Sequence, residues 1–299
     1  MAAGLCGFAL GTETLGSLVS PSTRCGTASV RPTFGTVPRT GAMALCWSMD
    51  KVGPIVRHVA DAHPVLAAIT GWDAGDPSGV LPNMDAGVVE RGGGRMRVGV
   101  DPVWFADADE GQMAALDAVR DIAEVVEVSG VVPDDLPLGA LSTILLAEAA
   151  AAFEMLSLDG RDDTLAWQED AAWPNTFRAA RFLTAIDLVQ AQRVRREAMV
   201  RMGAVFEGVD ALLSPPYAGG LLQVTNYTGH PCATVRAGFA DAPDRTLFDD
   251  GASEGGELSR VPNSVVLWGG LFNDARLIGL AAELEGRLGV ADERPGGFT

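Results

Sequence analysis

Hydrophobic and polar positions divide this chain into short apolar runs in its first third and mostly helical periodicities after it. Phe8, Ala9 and Leu10 form a brief apolar run, predicted as a buried strand. Gly11, Thr12, Glu13 and Thr14 are expected to break it. A second short strand is predicted over Ala28–Arg31, before a turn at Pro32–Gly35. Ile55, Val59, Leu66 and Ile69 recur at helical spacing and predict a helix opening at Gly53-Pro54, because Pro is tolerated in a first turn. Met96–Val100 and Val125–Val128 read as strands around a helix over Asp109–Ala123, whose Met113, Leu116, Val119 and Ile122 share one face. Strand, helix and strand in that order make a βαβ-like unit.

An alanine-rich helix is predicted over Gly139–Leu158. A longer one spans Phe177–Phe206, with an interruption near Thr184. Val209–Ser214 and Ser264–Trp268 read as strands. Leu277, Leu280, Ala281, Leu284 and Leu288 mark the buried face of a closing helix that Asn273 or Asp274 can cap. Two polar stretches, 70–95 and 240–262, are rich in Gly and acidic residues and read as long loops within a single domain. Arg91-Gly-Gly-Gly-Arg95 lacks the Lys-Ser/Thr of a phosphate loop and precedes a strand, so it reads as linker.

With 299 residues, 47% of them hydrophobic, the chain can bury a sizeable core. The net charge of −17 argues against direct binding to nucleic acid or to an anionic membrane. No run is long and apolar enough for a helical membrane span. Cys6, Cys25, Cys46 and Cys232 form no C-x-x-C pair and read as buried free thiols. His58 and His63 lack the spacing of a helical metal pair, so no metal site is expected. Glu148 and Glu154, and the arginines at 193, 195, 196 and 201, read as solvated helix faces.

The chemistry concentrates at Gly11–Ser17. Gly16 directly precedes Ser17, and a residue without Cβ lets the backbone turn sharply there. A serine on such a turn can present its hydroxyl beside converging N–H groups, the arrangement a nucleophile and an oxyanion site require. Pro21 is expected to stop any regular ladder.

From Leu5 to Asp61 the sequence closely resembles the amidase signature family of serine hydrolases. The residues that carry the resemblance are Gly11 to Ser17, Pro21, Cys25-Gly26, Arg31-Pro32-Thr33, Phe34-Gly35, Gly41, Ser48-Met49-Asp50 and Gly53-Pro54. The stretch Val224–Cys232, leading to Gly238-Phe239, continues it. Leu15 and Val19 stand where the commoner form of the motif has Gly and Arg.

The resemblance implies an α/β fold with a central mixed sheet and helices on both faces. It implies hydrolysis of a small-molecule carboxylic amide through an acyl-enzyme on Ser17, without cofactor or metal. The backbone N–H groups of Thr14, Leu15, Gly16 and Ser17 would form the oxyanion hole, and Met43, Leu45 and Trp47 would line the substrate pocket. Trp167, Trp173 and Pro174 are expected at the cleft rim. The family's Ser–Ser–Lys triad needs a bridging serine and a lysine upstream of Met1, with Met1–Leu5 as the last turn of a helix. The chain is therefore expected to be N-terminally truncated, nearly inactive, cytoplasmic, and prone to homo-oligomerise through uncovered sheet edges. Lys51, the only lysine, lies where the family keeps no base and is expected at the surface or a helix start. His230 lies near the second motif, but the family uses no histidine. Alternatives on the same fold are the amidase-like component of a glutamine-dependent tRNA amidotransferase and a non-catalytic interaction protein.

Overall fold

The computed structural model describes residues 1–80, 95–243 and 258–296. Strand β1 (Ala9–Glu13) turns into helix α1 (Val19–Cys25), followed by β2 (Ala28–Arg31), β3 (Lys51–Val56) and α2 (Ala62–Ile69). Next come β4 (Arg97–Val100), α3 (Glu110–Ile122) and β5 (Glu124–Glu127). Four helices follow: α4 (Ser142–Ala152), α5 (Glu154–Leu158), α6 (Trp173–Ala180) and α7 (Ala185–Gly208). Then come β6 (Ala211–Ser214), α8 (Leu221–Thr228), the long pair β7 (Cys232–Pro243) and β8 (Leu258–Gly269), and finally α9 (Asp274–Leu288).

The strands form one mixed sheet in the order β1-β3-β2-β7-β8-β6-β4-β5. β4 runs parallel to β5 and β6, and the other neighbours are antiparallel. Every residue of β7 from Cys232 to Gly238, and of β8 from Asn263 to Gly269, is buried. A strand without an exposed alternate position must be covered on both faces. Helices α1, α3 and α9 pack on this pair. A smaller cluster gathers Cys46, Met49, Leu141, Ile144, Ala191 and Tyr227, where α4, α7 and α8 meet. The β4–α3–β5 unit is the expected βαβ element, its helix opened by an Asp109–Gln112 capping box. A second capping box, Thr184–Asp187, starts α7 and accounts for the interruption expected near Thr184.

Several elements differ from the sequence expectation. β1 continues through Gly11 and Thr12 to Glu13, because β3 pairs with it from Ala9↔Ile55 to Glu13↔Lys51. Gly53-Pro54 therefore lies inside a strand and starts no helix. β2 pairs with β3 only at Ile55 and Val56, which leaves room in the ladder for a residue without N–H. A Cβ on Gly53 would fall 2.1 Å from the Val30 carbonyl oxygen, so this close approach requires glycine. Pro21 sits in the first turn of α1, where an amide has no helical partner to lose. Met1–Leu5 is a turn closed by Gly4 N–H to Met1 O, with no helix. Asn273 makes no side-chain cap on α9, and Asp274 turns instead to Thr33.

The loop expected over 240–262 is shorter, since the β7–β8 ladder pairs Pro243 with Leu258. Residues 244–257, with Asp249, Asp250 and Glu254, lie outside the described residues, as do 81–94 of the stretch 70–95, including Arg91–Gly94. Residues 71–80 are turns and bends. Cys46 and Cys232 are buried, but Cys6 and Cys25 are exposed. β1 and β5 are the sheet edges, and Leu5, Phe8 and Leu10 are exposed at or beside the first. No helix among the described residues is long and apolar enough to cross a membrane.

Candidate functional site

Glu13, the last residue of β1, is fully buried and organises the turn that follows it. Its Oε2 accepts the N–H groups of Leu18 (2.8 Å) and Val19 (3.1 Å), the opening residues of α1. Its Oε1 accepts Arg31 Nη1 (2.6 Å) and Asn226 Nδ2 (2.8 Å). Arg31 is equally buried; it also donates to the His230 carbonyl and to Thr225 Oγ1. Burial alone would raise the Glu13 pKa, but the Arg31 and Lys51 charges and the hydrogen bonds from Arg31 and Asn226 outweigh it and hold the value below normal. A carboxylate at the start of a helix also meets the positive end of its dipole. The chain between Glu13 and Leu18 is thus pinned at both ends.

Gly16 has φ +115°, a conformation that L side chains rarely adopt. The turn leaves Ser17 exposed, with its side of the turn facing a cavity. Leu18 and Val19 give their N–H groups to Glu13, whereas those of Thr14, Leu15, Gly16 and Ser17 have no protein acceptor among the described residues. Thr14 Oγ1 donates to Asp50 Oδ1 (2.6 Å), and Asp50 Oδ2 accepts the N–H groups of Leu45 (2.8 Å) and Cys46 (3.0 Å). The Ser17 turn and the 42–50 loop are therefore joined through one carboxylate.

The cavity measures 810 Å³ and opens between the Ser17 turn, the 39–50 and 75–78 loops, and helices α4 to α6. Met43, Leu45 and Trp47 line it. Phe153, Trp173 and Phe177 form a stacked wall, with ring centroids 5.3 Å apart for Phe153–Phe177 and 5.5 Å for Trp173–Phe177. Trp173 and Phe177 are one helical turn apart on α6, which brings their rings together. Pro174 is buried beneath the wall, and Trp167 is not among the lining residues. Arg39 closes one side: its Nε and Nη2 pair with Asp76 (2.9 Å each), and Nη1 reaches the Trp47 and Asp50 carbonyls. The hydrogen bonds from Arg39 and the Ser78 N–H hold the Asp76 pKa far below the usual carboxylate range. Sequence reasoning missed Arg39, Asp76 and the aromatic wall. The Trp173/Phe177 spacing was a readable signal, but nothing local joins Arg39 to Asp76.

Other candidates lie elsewhere. Thr12 and Val52 pair across β1 and β3 and line the cavity; Glu13 and Lys51, one step along, are buried on the other face. Lys51 is thus neither at the surface nor at a helix start. Its Nζ donates to the Met49 carbonyl and, at 3.5 Å, to that of Asn226. Burial, then the Arg31 charge, lowers its pKa to about 7. His230 is buried away from the cavity, bonded to Thr228 Oγ1 (2.7 Å) and stacked on Phe206; burial lowers its pKa to about 3. Glu148 is no solvated carboxylate, since it accepts from Cys46 Sγ and the Ser48 N–H. Arg195 likewise turns inward, to Ser48 and the Tyr227 carbonyl. His58 faces Glu285 and Asp292. No cluster of three His, Cys, Asp or Glu among the described residues could hold a metal ion.

A family model described as Amidase matches residues 1–278. The chain is 29% identical over 324 residues to the amidase-like component of the glutamyl-tRNA(Gln) amidotransferase of Anaeromyxobacter dehalogenans (strain 2CP-C), covering 99% of this chain and 66% of that protein. It is 30% identical over 218 residues to an "Amidase" of Pseudomonas putida, covering 70% of this chain and 45% of that one. Among solved structures, the peptide amidase of Stenotrophomonas maltophilia superposes with a TM-score of 0.72 at 24% identity, over 99% of this chain and 65% of that one. The 6-aminohexanoate cyclic dimer hydrolase superposes at 0.73 and 19% identity, over 100% and 68%. The chain thus spans about two thirds or less of the length of the curated relatives it matches.

Proposed function

The chain belongs to the Amidase family, and on that premise we propose that its cavity is the acyl-transfer site of an amide hydrolase with Ser17 as nucleophile. In this reading Ser17 Oγ attacks the carbonyl carbon of a small-molecule carboxylic amide. The N–H groups of Thr14, Leu15, Gly16 and Ser17 hold the developing oxyanion, and donors of this kind are each worth about 3 kcal/mol in a transition state. One observation carries the proposal: an exposed serine at a cavity, on a turn whose N–H groups are unclaimed because Glu13 takes the two that follow. The reaction calls for neither metal nor cofactor.

A serine hydroxyl needs a proton acceptor. The cavity wall contains no Lys or His among the described residues, and Lys51 faces the opposite side of the sheet edge. We therefore place the base outside the described residues. In a comparable serine hydrolase, losing the base alone costs about a million-fold in turnover. Residues 1–299 by themselves are expected to hydrolyse amides at close to the uncatalysed rate. An alkylboronic acid, which adds to a serine oxygen without needing turnover, is expected to bind saturably and to lose that binding in Ser17→Ala. Unchanged binding in Ser17→Ala refutes the nucleophile, and rapid turnover by 1–299 refutes the placement of the base.

A second reading is the amidase-like component of a glutamine-dependent tRNA amidotransferase, favoured by the name several relatives share. Co-purification with a tRNA-binding partner protein would distinguish it.

A further inference from the structure

We propose that the cavity selects a neutral carboxamide bearing an aromatic ring and excludes charged amino-acid amides such as glutamine. The inference rests on the reading of this cavity as the amide site and adds the substrate class. Its basis is the electrostatic state of the walls. Three charged side chains line the cavity among the described residues: Arg39, Asp50 and Asp76. Each is already paired within the protein. Both Asp76 oxygens accept two donors, Oδ2 from the Arg39 N–H and Nε, and Oδ1 from Arg39 Nη2 and the Ser78 N–H. Asp50 accepts Thr14 Oγ1 and two backbone N–H groups. Arg39 has four of its five N–H groups occupied and packs on the Phe34 ring at 4.8 Å.

Free glutamine carries an ammonium and a carboxylate, and each would need a counter-charge on entering. The walls offer none without breaking one of these pairs, and an unpaired charge removed from water is strongly disfavoured. An aromatic ring meets the opposite situation. The Phe153–Phe177–Trp173 stack presents aromatic faces and edges of the kind that favour offset or edge-on ring contacts. Met43 and Trp47 stand exposed on the other side, ready to be covered. A volume of 810 Å³ accommodates a ligand of this size.

The test titrates residues 1–299 with 4-phenylbutanamide, 4-cyclohexylbutanamide and L-glutamine, read by calorimetry and by the fluorescence of Trp47 and Trp173. The phenyl amide is expected to bind best, the cyclohexyl amide more weakly, and glutamine at least a hundredfold more weakly. Trp173→Ala, at a residue 40% exposed, should weaken the phenyl amide about tenfold without altering the melting temperature by more than a few degrees. Ser17→Ala should retain phenyl amide binding, so failure here is distinct from failure of the boronate experiment. Glutamine binding as tightly as the phenyl amide, equal affinity for phenyl and cyclohexyl amides, or no saturable binding of the phenyl amide overturns the proposal. The ligand series on the unmodified chain decides the matter even if Trp173→Ala fails to fold.

Discussion

Replacing Glu13 by Gln preserves the shape of the side chain and removes its charge. The carboxylate accepts four donors at 2.6–3.1 Å, two on each oxygen, and is sealed from solvent together with Arg31. A Gln amide has one acceptor oxygen, so its NH2 must face either the Leu18 and Val19 N–H groups or the Arg31 and Asn226 donors. Either way two donors lose their partner, and Arg31 remains buried without a compensating charge. Breaking a buried pair from one side costs about 3–5 kcal/mol. Urea denaturation at pH 7 is expected to show that loss. Arg31→Met alone should cost a similar amount, but the double variant should cost well under the sum, because neither charge is then stranded. Because the folded-state pKa of Glu13 is lowered, its contribution is present above the unfolded value and is lost as pH falls through the folded one. The unmodified chain should therefore lose stability more steeply than Glu13→Gln below about pH 4. A Glu13→Gln cost under about 1 kcal/mol, or strict additivity in the double variant, would falsify the role given to this pair.

Lys51 gives the opposite pH dependence. Its pKa falls from 10.5 unfolded to about 7 folded, so the unfolded chain binds more protons between those values and stability rises with pH across them, by on the order of 5 kcal/mol. Lys51→Met should remove the rise and stabilise the protein at pH 6; an unchanged pH slope in thermal melts counts against it. Gly16→Ala forces a Cβ into a φ +115° turn, 3.1 Å from Leu222 Cδ2. It should cost roughly 1–3 kcal/mol and weaken boronate binding at Ser17; a stabilised variant with full binding would contradict the turn geometry. Asp76→Asn should cost roughly 2–3 kcal/mol, because it leaves the buried Arg39 fork without its carboxylate. Differential scanning calorimetry measures this, and a neutral result would show that the clamp does not hold the loops.

The order of elements and the place of the reactive turn were legible in the sequence because both are local. Helical periodicity in α3, α7 and α9 follows from side chains three and four residues apart, and a Gly before Ser17 reports a backbone turn that no distant residue needs to explain. Partner choice was not legible. Gly53-Pro54 suits a helix start by local rules, but β1 claims it for a ladder, and the Val30 carbonyl leaves no space for a Cβ. Lys51 resembles a surface lysine until the β1–β3 register turns it to the same side as Glu13. Arg31 and Arg39 carry the same charge in the sequence. Only folding, which brings Glu13 to one and Asp76 to the other across 18 and 37 residues, makes one the anchor of the serine turn and the other a neutralised wall of the cavity. A chain's local preferences depend on neighbours a few residues away, whereas burial and charge compensation depend on which distant surfaces meet, and those contacts exist only in the folded protein.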